Sequence, residues 1–147
     1  MMTNNWIENY IQAGNPETSS EQLARLAASR NHKIRLRVAE NSNTPPDILE
    51  SLAGDEHHDV RLAVAVNQST PVDITYRLAY DDDVSVRYGL AEDTNVPVGV
   101  LKILSKDDNP YVSCRAQKTL DTLQDQLPTV PQEGRILAWR RPVQKYA

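Results

Sequence analysis

A 26-residue repeat, present four times without insertion or deletion, constrains this chain of 147 residues more than any other feature. A fixed period of this length is typical of stacked arrays, in which each unit buries its apolar face against its neighbours. The repeat therefore predicts a solenoid, although it does not name a partner. Four alignment columns define it: Asn15, Asn41, Asn67 and Asp93; Thr18, Thr44, Thr70 and Val96; Leu26, Leu52, Leu78 and Leu104; Ile34, Val60, Val86 and Val112.

Each repeat carries a start signal for a first short helix. In repeat 2 we expect the Thr44 hydroxyl to cap this helix, with Pro45 at its first position and Asp47 at its third. The segment from Thr18 to Glu21 has the form of a capping box with Thr18 as the cap. The apolar stripe that follows in repeat 2 predicts a helix of about 10 residues; its members are Ile48, Leu49, Leu52 and Ala53.

A second short helix is predicted in each repeat after a polar break. In repeat 2 the break covers residues 55–59 and the helix covers residues 60–65, whose small alanines allow close approach of the next layer. Neither helix is long enough to be stable alone, so the stack must supply the stability.

The ends of the array differ from its middle, because terminal repeats must cover their outer side. Trp6, Ile7, Tyr10 and Ile11 have helical spacing and predict an N-terminal capping helix, and the last helix extends to about Gln126. We therefore predict an all-α solenoid over residues 1–127 and a basic tail over 128–147. The solenoid divides into a cap (1–14), repeats at 15–40, 41–66, 67–92 and 93–118, and a C-terminal helix to 127.

Charge is distributed unevenly along the chain, whose net charge is −4. Repeat 1 is +2, residues 41–112 are −8 with thirteen acidic and five basic residues, and the tail is +3. The negative total disfavours nonspecific nucleic-acid binding. No apolar run approaches the roughly 18 residues of a membrane span. Cys114 is the single cysteine and the first residues lack signal-peptide features, so we expect a cytoplasmic protein.

The sequence of repeats 2 and 3 resembles that of the leucine-rich repeat variant family. The similarity rests on residues 60–71, VRLAVAVNQSTP, and residues 78–81, LAYD, and it covers roughly residues 15–120. Repeat 1 departs from the family pattern at Ser29, and repeat 4 departs from it at Ser113 and Val96.

The resemblance implies a right-handed superhelix of short α- and 3₁₀-helical elements, related to HEAT-like arrays, without a β-sheet horseshoe. It also implies a scaffold or binding role without shared catalytic residues. Some relatives bind an iron–sulfur cluster through a Cys-rich N-terminal extension. Those cysteines are absent from this sequence, so we expect no cofactor.

Two charged columns also follow the period. They could form an anion-binding row, or an arginine–carboxylate ladder that joins each repeat to the next. We favour the ladder, because a planar guanidinium binds a carboxylate through two bonds and residues set by the period usually serve the stacking. The columns are Arg35, Arg61 and Arg87, and Asp55, Asp81 and Asp107.

Departures from the period are a better guide to function. Tyr76, Tyr80 and Tyr88 all lie in repeat 3, at columns that hold no tyrosine in the other repeats. Tyrosine is favoured at binding surfaces, so Tyr76 and Tyr80 are candidate contacts. The alternative is that Tyr88 fills a core position and the other two are its half-buried neighbours.

Acidic residues should line one edge of the stack. They could steer a basic partner, or they could serve as helix caps and keep the protein soluble. The group consists of Asp81, Asp82 and Asp83 together with Asp55, Glu56, Asp59, Asp107 and Asp108.

The sequence indicates neither a metal site nor a catalytic site. His32 and His58 lie one period apart, and stacked helices are separated by roughly 10 Å, which is too far to share a metal ion. The acidic residues do not have the spacing of a calcium loop. Motifs for a nucleophile elbow, a phosphate loop or a His–carboxylate pair are absent, so we expect no enzymatic activity.

The tail mixes apolar, aromatic and basic residues around Trp139, Arg140 and Arg141. Such a segment could order on a protein, remain inert, or contact lipid or nucleic acid, and its four basic residues are few for the last two roles. We therefore predict a non-catalytic scaffold or adaptor that binds a protein partner. The alternative is self-assembly, in which the tail docks on a second copy. The predicted contacts are Tyr76, Tyr80, Asp81, Asp82, Asp83, Trp139, Arg140 and Arg141.

Overall fold

The computed structural model describes residues 5–126, and every regular element in that part of the chain is an α-helix. The all-α fold class predicted from the repeat is confirmed. The helices are α1 (Trp6–Gly14), α2 (Ser20–Ala27), α3 (His32–Glu40), α4 (Pro46–Leu52), α5 (His58–Val66), α6 (Val72–Leu78), α7 (Val84–Glu92), α8 (Val98–Leu104) and α9 (Pro110–Asp125).

The helices form two layers whose starts recur every 26 residues. The second layer is stacked in chain order: α1 packs on α3, α3 on α5, α5 on α7, and α7 on α9. The first layer consists of α2, α4, α6 and α8, each of which lies beside second-layer helices. Helix α1 therefore takes the place of a second-layer helix one period before α3. At the other end, α9 has 16 residues and extends to Asp125, close to the predicted end of the array.

The core lies between the two layers and is built from columns of equivalent residues. A spacing of 26 residues returns each side chain to the same place in the next repeat, so columns stack on themselves. Besides the Leu26 and Ile34 columns, which are buried in every repeat, one further first-layer column and one further second-layer column are buried throughout, as are the alanines that bring second-layer helices close together. The columns are Leu23, Leu49, Thr75 and Leu101; Val38, Val64, Leu90 and Ala116; and Ala13, Ala39, Ala65 and Ala91.

The prediction that the Thr44 hydroxyl caps the first helix of repeat 2 is wrong. Thr44 is buried, and its hydroxyl donates to the carbonyl oxygen of Val38 at 2.6 Å, at the end of α3. Helix α4 starts at Pro46, with Pro45 as its N-cap residue. The Thr hydroxyl serves the preceding helix because the last carbonyls of any helix lack partners inside it.

The other two threonines of this column make the same contact. Thr18 and Thr70 donate to the carbonyl oxygens of Gln12 and Val64, each at 2.6 Å. Because Thr18 is engaged in this way, the capping box of α2 forms one residue later, between Ser19 and Gln22. The first helix is also shorter than predicted, with seven residues in α4 instead of about ten.

We expect Thr44→Val to lower the free energy of unfolding by about 1 kcal/mol, because the Val38 carbonyl loses its side-chain donor and keeps only the Asn41 amide at 3.1 Å, while the side-chain shape is preserved. Urea denaturation followed by circular dichroism measures the change. Thr122→Val is the matched control, since the Thr122 hydroxyl donates to the Lys118 carbonyl at an exposed position. Equal losses in the two variants would contradict a special role for the threonine column.

Candidate functional site

The arginine and aspartate columns meet along the edge formed by the loops that join each first-layer helix to the following second-layer helix. We call this the acidic edge, residues 53–57, 79–83 and 105–109. Arg61 donates through Nε and Nη2 to the two carboxylate oxygens of Asp81, at 2.8 and 2.9 Å. Its Nη1 donates to the carbonyl oxygen of Asp55 at 2.8 Å.

The same contact recurs in the neighbouring repeats. Arg35 binds Asp55 at 2.6 and 2.9 Å, and Arg87 binds Asp107 at 2.7 and 3.2 Å. Each arginine belongs to one repeat and its carboxylate to the next, so the predicted ladder between repeats is confirmed.

The ladder carboxylates are buried but charged. Burial alone would raise the pKa of Asp81, but hydrogen bonds from the Arg61 guanidinium and the Asp83 amide outweigh it and hold that pKa below its ordinary value. The pKa values of Asp55 and Asp107 are lowered by the same balance. The side chain of Asp81 is only 7% exposed, so it joins the repeats and offers a partner little surface.

Tyr80 and Asp82 are the outward-facing members of this edge. Tyr80 is 71% exposed, and both residues line two neighbouring depressions, of about 360 and 400 Å³. One rung of the ladder, Arg61 with Asp81, lies in the first depression, and Arg87 with Asp107 lies in the second. Tyr80 therefore stands between two depressions whose walls are fixed by ion pairs, which makes this the candidate site.

Asp83 combines two roles at the same edge. Its carboxylate accepts from the Ser85 amide at 2.7 Å and caps α7, and this hydrogen bond lowers the pKa of Asp83. One of its oxygens also lies 3.9 Å from Nδ1 of His58. The capping alternative therefore describes Asp83 well, although its side chain is still 30% exposed.

The other tyrosines of repeat 3 do not line the two depressions. Tyr76 packs over Gly99 of α8, where a Cβ atom would collide with the Tyr76 hydroxyl. Tyr76 is thus a contact between repeats that remains half exposed. Tyr88 lies on α7 in the second layer, and it is 38% exposed and so does not fill a core position.

Tyr88 lines an apolar groove that was not predicted from the sequence. The groove has a volume of about 570 Å³ and crosses α5, α7 and the start of α9. Gly89 allows the Leu62 side chain to lie against α7, because a Cβ atom at position 89 would collide with it. The available signal was a set of apolar residues at second-helix positions outside the core columns: Val66, Val84, Tyr88 and Tyr111 are all exposed.

A histidine pair was also missed. The rings of His32 and His57 stack with centroids 3.8 Å apart and an interplanar angle of 14°. His57 occupies a column in which Asn31, Asp83 and Asn109 cap their helices through side chains, whereas His57 makes no such bond. That departure from the period was visible in the sequence. The stacked rings present their faces to each other, so their nitrogens do not converge on a single point.

The predicted tail contacts Trp139, Arg140 and Arg141 lie outside the described residues. Among the helices between residues 5 and 126, none combines the length and the apolar character needed to cross a membrane.

The stacked helix pairs and their ladder define an α-helical repeat protein of the solenoid class. Compared with family models, residues 8–68 match the Leucine Rich Repeat Variant domain, which confirms the resemblance over that stretch. The match covers most of α1 and the first two repeats, and the helix pattern continues beyond it at the same spacing. Searches with the chain found no matching curated protein and no matching solved structure.

We expect Asp81→Asn to lower the free energy of unfolding by about 2 kcal/mol at pH 7, because the Arg61 guanidinium, which is largely screened from water with 17% of its side chain exposed, loses its charged partner. It should also flatten the pH dependence. A carboxyl whose folded pKa is lowered contributes stability above its ordinary pKa of 3.8, and this contribution disappears as the pH falls through the folded pKa.

Denaturant unfolding from pH 7 down to pH 3 measures both effects. Asp82→Asn, one residue along and exposed, is the matched control and should leave the wild-type pH profile in place. Parallel pH profiles for wild type and Asp81→Asn would show that the ladder does not contribute to acid sensitivity.

Proposed function

We propose that this protein is a non-catalytic interaction module whose acidic edge binds a basic segment of a partner protein, with Tyr80 and Asp82 as central contacts. The observation that carries the proposal is the position of Tyr80, 71% exposed between two depressions. A tyrosine offers a large contact area at a low entropy cost, and rigid surroundings reduce the ordering that binding requires. The matched family, a helical repeat domain, is consistent with a role in protein interaction.

A basic partner fits the net negative charge that remains at this edge once the arginine–aspartate pairs of the ladder are counted as neutral. Arg35, Arg61 and Arg87 neutralise three of the aspartates at this edge. The remaining charges at the site are four carboxylates against two cations: Glu56, Asp82, Asp83 and Asp108 against Lys106 and Arg77, the last of which lines the smaller depression. A field of this sign speeds the approach of a basic segment and disfavours acidic competitors.

We expect the double variant Tyr80→Ser with Asp82→Asn to reduce partner capture at least tenfold, as loss of a central aromatic contact does at other interfaces. Immobilised protein is incubated with extract of the source cells, and captured proteins are quantified by mass spectrometry at low and moderate salt. Capture by wild type should fall as salt rises, because salt screens exposed charges.

Tyr111→Ser is the matched control for this experiment, since Tyr111 is 77% exposed and lies on the second layer. It should retain capture. Loss of capture in Tyr111→Ser but not in the double variant would move the contact to the apolar groove and exclude the acidic edge.

The groove supports a second candidate function, which is self-association through the tail. It exposes Val66, Val84 and Tyr88 on one surface, and an exposed apolar surface of this kind often marks an interface. The tail carries Ile136, Leu137 and Trp139, which match an apolar groove in chemistry. In this alternative the tail of one copy docks in the groove of another.

If the tail mediates assembly, the mass in solution should rise with concentration above the 16.5 kDa of one chain. Deleting residues 128–147 should abolish the rise, and the double variant Tyr88→Ser with Tyr111→Ser should weaken it. Light scattering after size-exclusion chromatography measures the mass. A constant monomer mass for the full chain at every concentration would exclude this alternative and leave the adaptor function.

A further inference from the structure

The edge opposite the acidic edge carries a second ladder, made of asparagine side chains. It follows the loops that join each second-layer helix to the next first-layer helix. The Asn41 amide donates to the carbonyl oxygens of Ala13 and Asn15, at 2.9 and 3.0 Å. One period later the Asn67 amide donates to the carbonyl oxygens of Ala39 and Asn41, at 2.7 and 3.1 Å. Each asparagine thus bridges two carbonyls that lie 26 and 28 residues earlier in the chain.

A second side chain reinforces each of these junctions. The Asn43 amide donates to the Pro16 carbonyl oxygen at 2.9 Å, and the Ser69 hydroxyl donates to the Ser42 carbonyl oxygen at 2.8 Å. The loops of repeats 1 and 2, and those of repeats 2 and 3, are therefore joined by three hydrogen bonds each.

The ladder is broken where repeat 4 meets repeat 3, because Asp93 replaces the asparagine. Asp93 keeps the same turn: its Oδ1 accepts from the Asn95 amide at 2.8 Å, as Oδ1 of Asn67 accepts from the Ser69 amide at 2.9 Å. Asp93 has a second carboxylate oxygen where an asparagine has its amide nitrogen. An ionised carboxylate accepts hydrogen bonds and cannot donate to the carbonyls of Ala65 and Asn67.

The reinforcing bond is redirected at the same place. The side-chain amide of Asn95 donates to Oδ1 of Asp93 at 3.0 Å, whereas the equivalent Asn43 reaches back to the preceding repeat. A pocket of about 220 Å³ opens at this junction, lined by Ala65, Asn67 and Asp93 among others. Of the residues that line it, Asp93 alone is charged.

We propose that this pocket binds a cationic N–H donor, the ammonium of a lysine or the guanidinium of an arginine side chain, in place of the missing asparagine amide. Such a group can donate to the carbonyls of Ala65 and Asn67, as Asn41 and Asn67 do at the intact rungs for their own carbonyl pairs. It also places one positive charge beside the single carboxylate, and charge-assisted hydrogen bonds are the stronger kind. A calcium ion is a poorer fit, because it requires six to eight oxygen ligands.

The site is independent of the proposed function, since it lies at the opposite ends of the helices from Tyr80. Two sources of the cation are chemically equivalent: a partner chain, or the tail of this chain, which carries Arg135, Arg140, Arg141 and Lys145. Helix α9 approaches this edge, because the Thr119 hydroxyl donates to the Ala91 carbonyl oxygen at 2.7 Å.

The test titrates the full chain with Nα-acetyl-lysine amide and with the corresponding arginine amide, and follows backbone amide shifts by ¹H–¹⁵N NMR. Saturable shifts are expected around Gln68 and Asn95. Tetramethylammonium chloride is the matched reagent, because it carries the same charge but has no N–H donor, and it should produce no saturable shift at these residues.

Two variants make the test specific. Asp93→Asn should weaken binding at least about tenfold and raise the melting temperature, because it restores the bridging amide. Asn67→Asp should lower the melting temperature and create a second set of saturable shifts one repeat earlier, around Ser42 and Ser69. Dispersed NMR spectra of both variants show that they are folded.

Four results of these titrations would overturn the proposal or identify the occupant of the pocket. Equal responses to tetramethylammonium, or equal binding by Asp93→Asn, would overturn the proposal. If the wild-type chain shows no saturable shifts, the titration is repeated with a tail variant that carries Gln at positions 135, 140, 141 and 145. Binding of the probe to that variant alone would show that the tail already occupies the pocket, whereas no binding to either chain would refute the site.

Discussion

The packing of each short helix on its copy 26 residues away is the contact on which the rest of this structure depends. The described helices of repeats 1–3 have seven to nine residues, and α8 has seven, which is too short to persist in water alone. Each becomes stable only by burying its apolar column against the preceding and following repeats. The core is therefore a row of small, equivalent contacts with neighbours only, and it contains no single centre.

Stacking of this kind leaves many helix ends, and the two edges differ in how they satisfy them. At one edge, arginines bind buried aspartates of the next repeat and a carbonyl as well, so ion pairs fix the loops. At the other edge, threonine hydroxyls donate to carbonyls near the ends of α1, α3 and α5, and asparagine amides donate to carbonyls near the ends of α1 and α3. Residues that follow the period are accounted for by these hydrogen bonds and by the core.

The distinctive features of the surface lie at residues that break the period. Tyr80 stands between two depressions fixed by the arginine ladder, and Asp93 replaces an amide by a carboxylate in the asparagine ladder. His57 occupies a column of helix-capping residues, but its ring stacks on His32 and makes no capping hydrogen bond. In each case the regular neighbours hold the exceptional residue in place, so the periodic frame and the departures from it act together.

The sequence alone determined the helix spacing, the fold class and the ladder partners, because these follow from a period that returns equivalent residues to equivalent positions. It did not determine what Thr44 does, since a threonine before a helix can serve either the helix ahead or the one behind. It marked Tyr76, Tyr80 and Tyr88 alike as departures. Only the tertiary structure separated them, because Gly99 gives Tyr76 a packing partner, the turn after α6 exposes Tyr80, and α7 carries Tyr88 to the second layer. Exposure, grooves and broken rungs depend on which side chains from different repeats meet, and no single repeat contains that information.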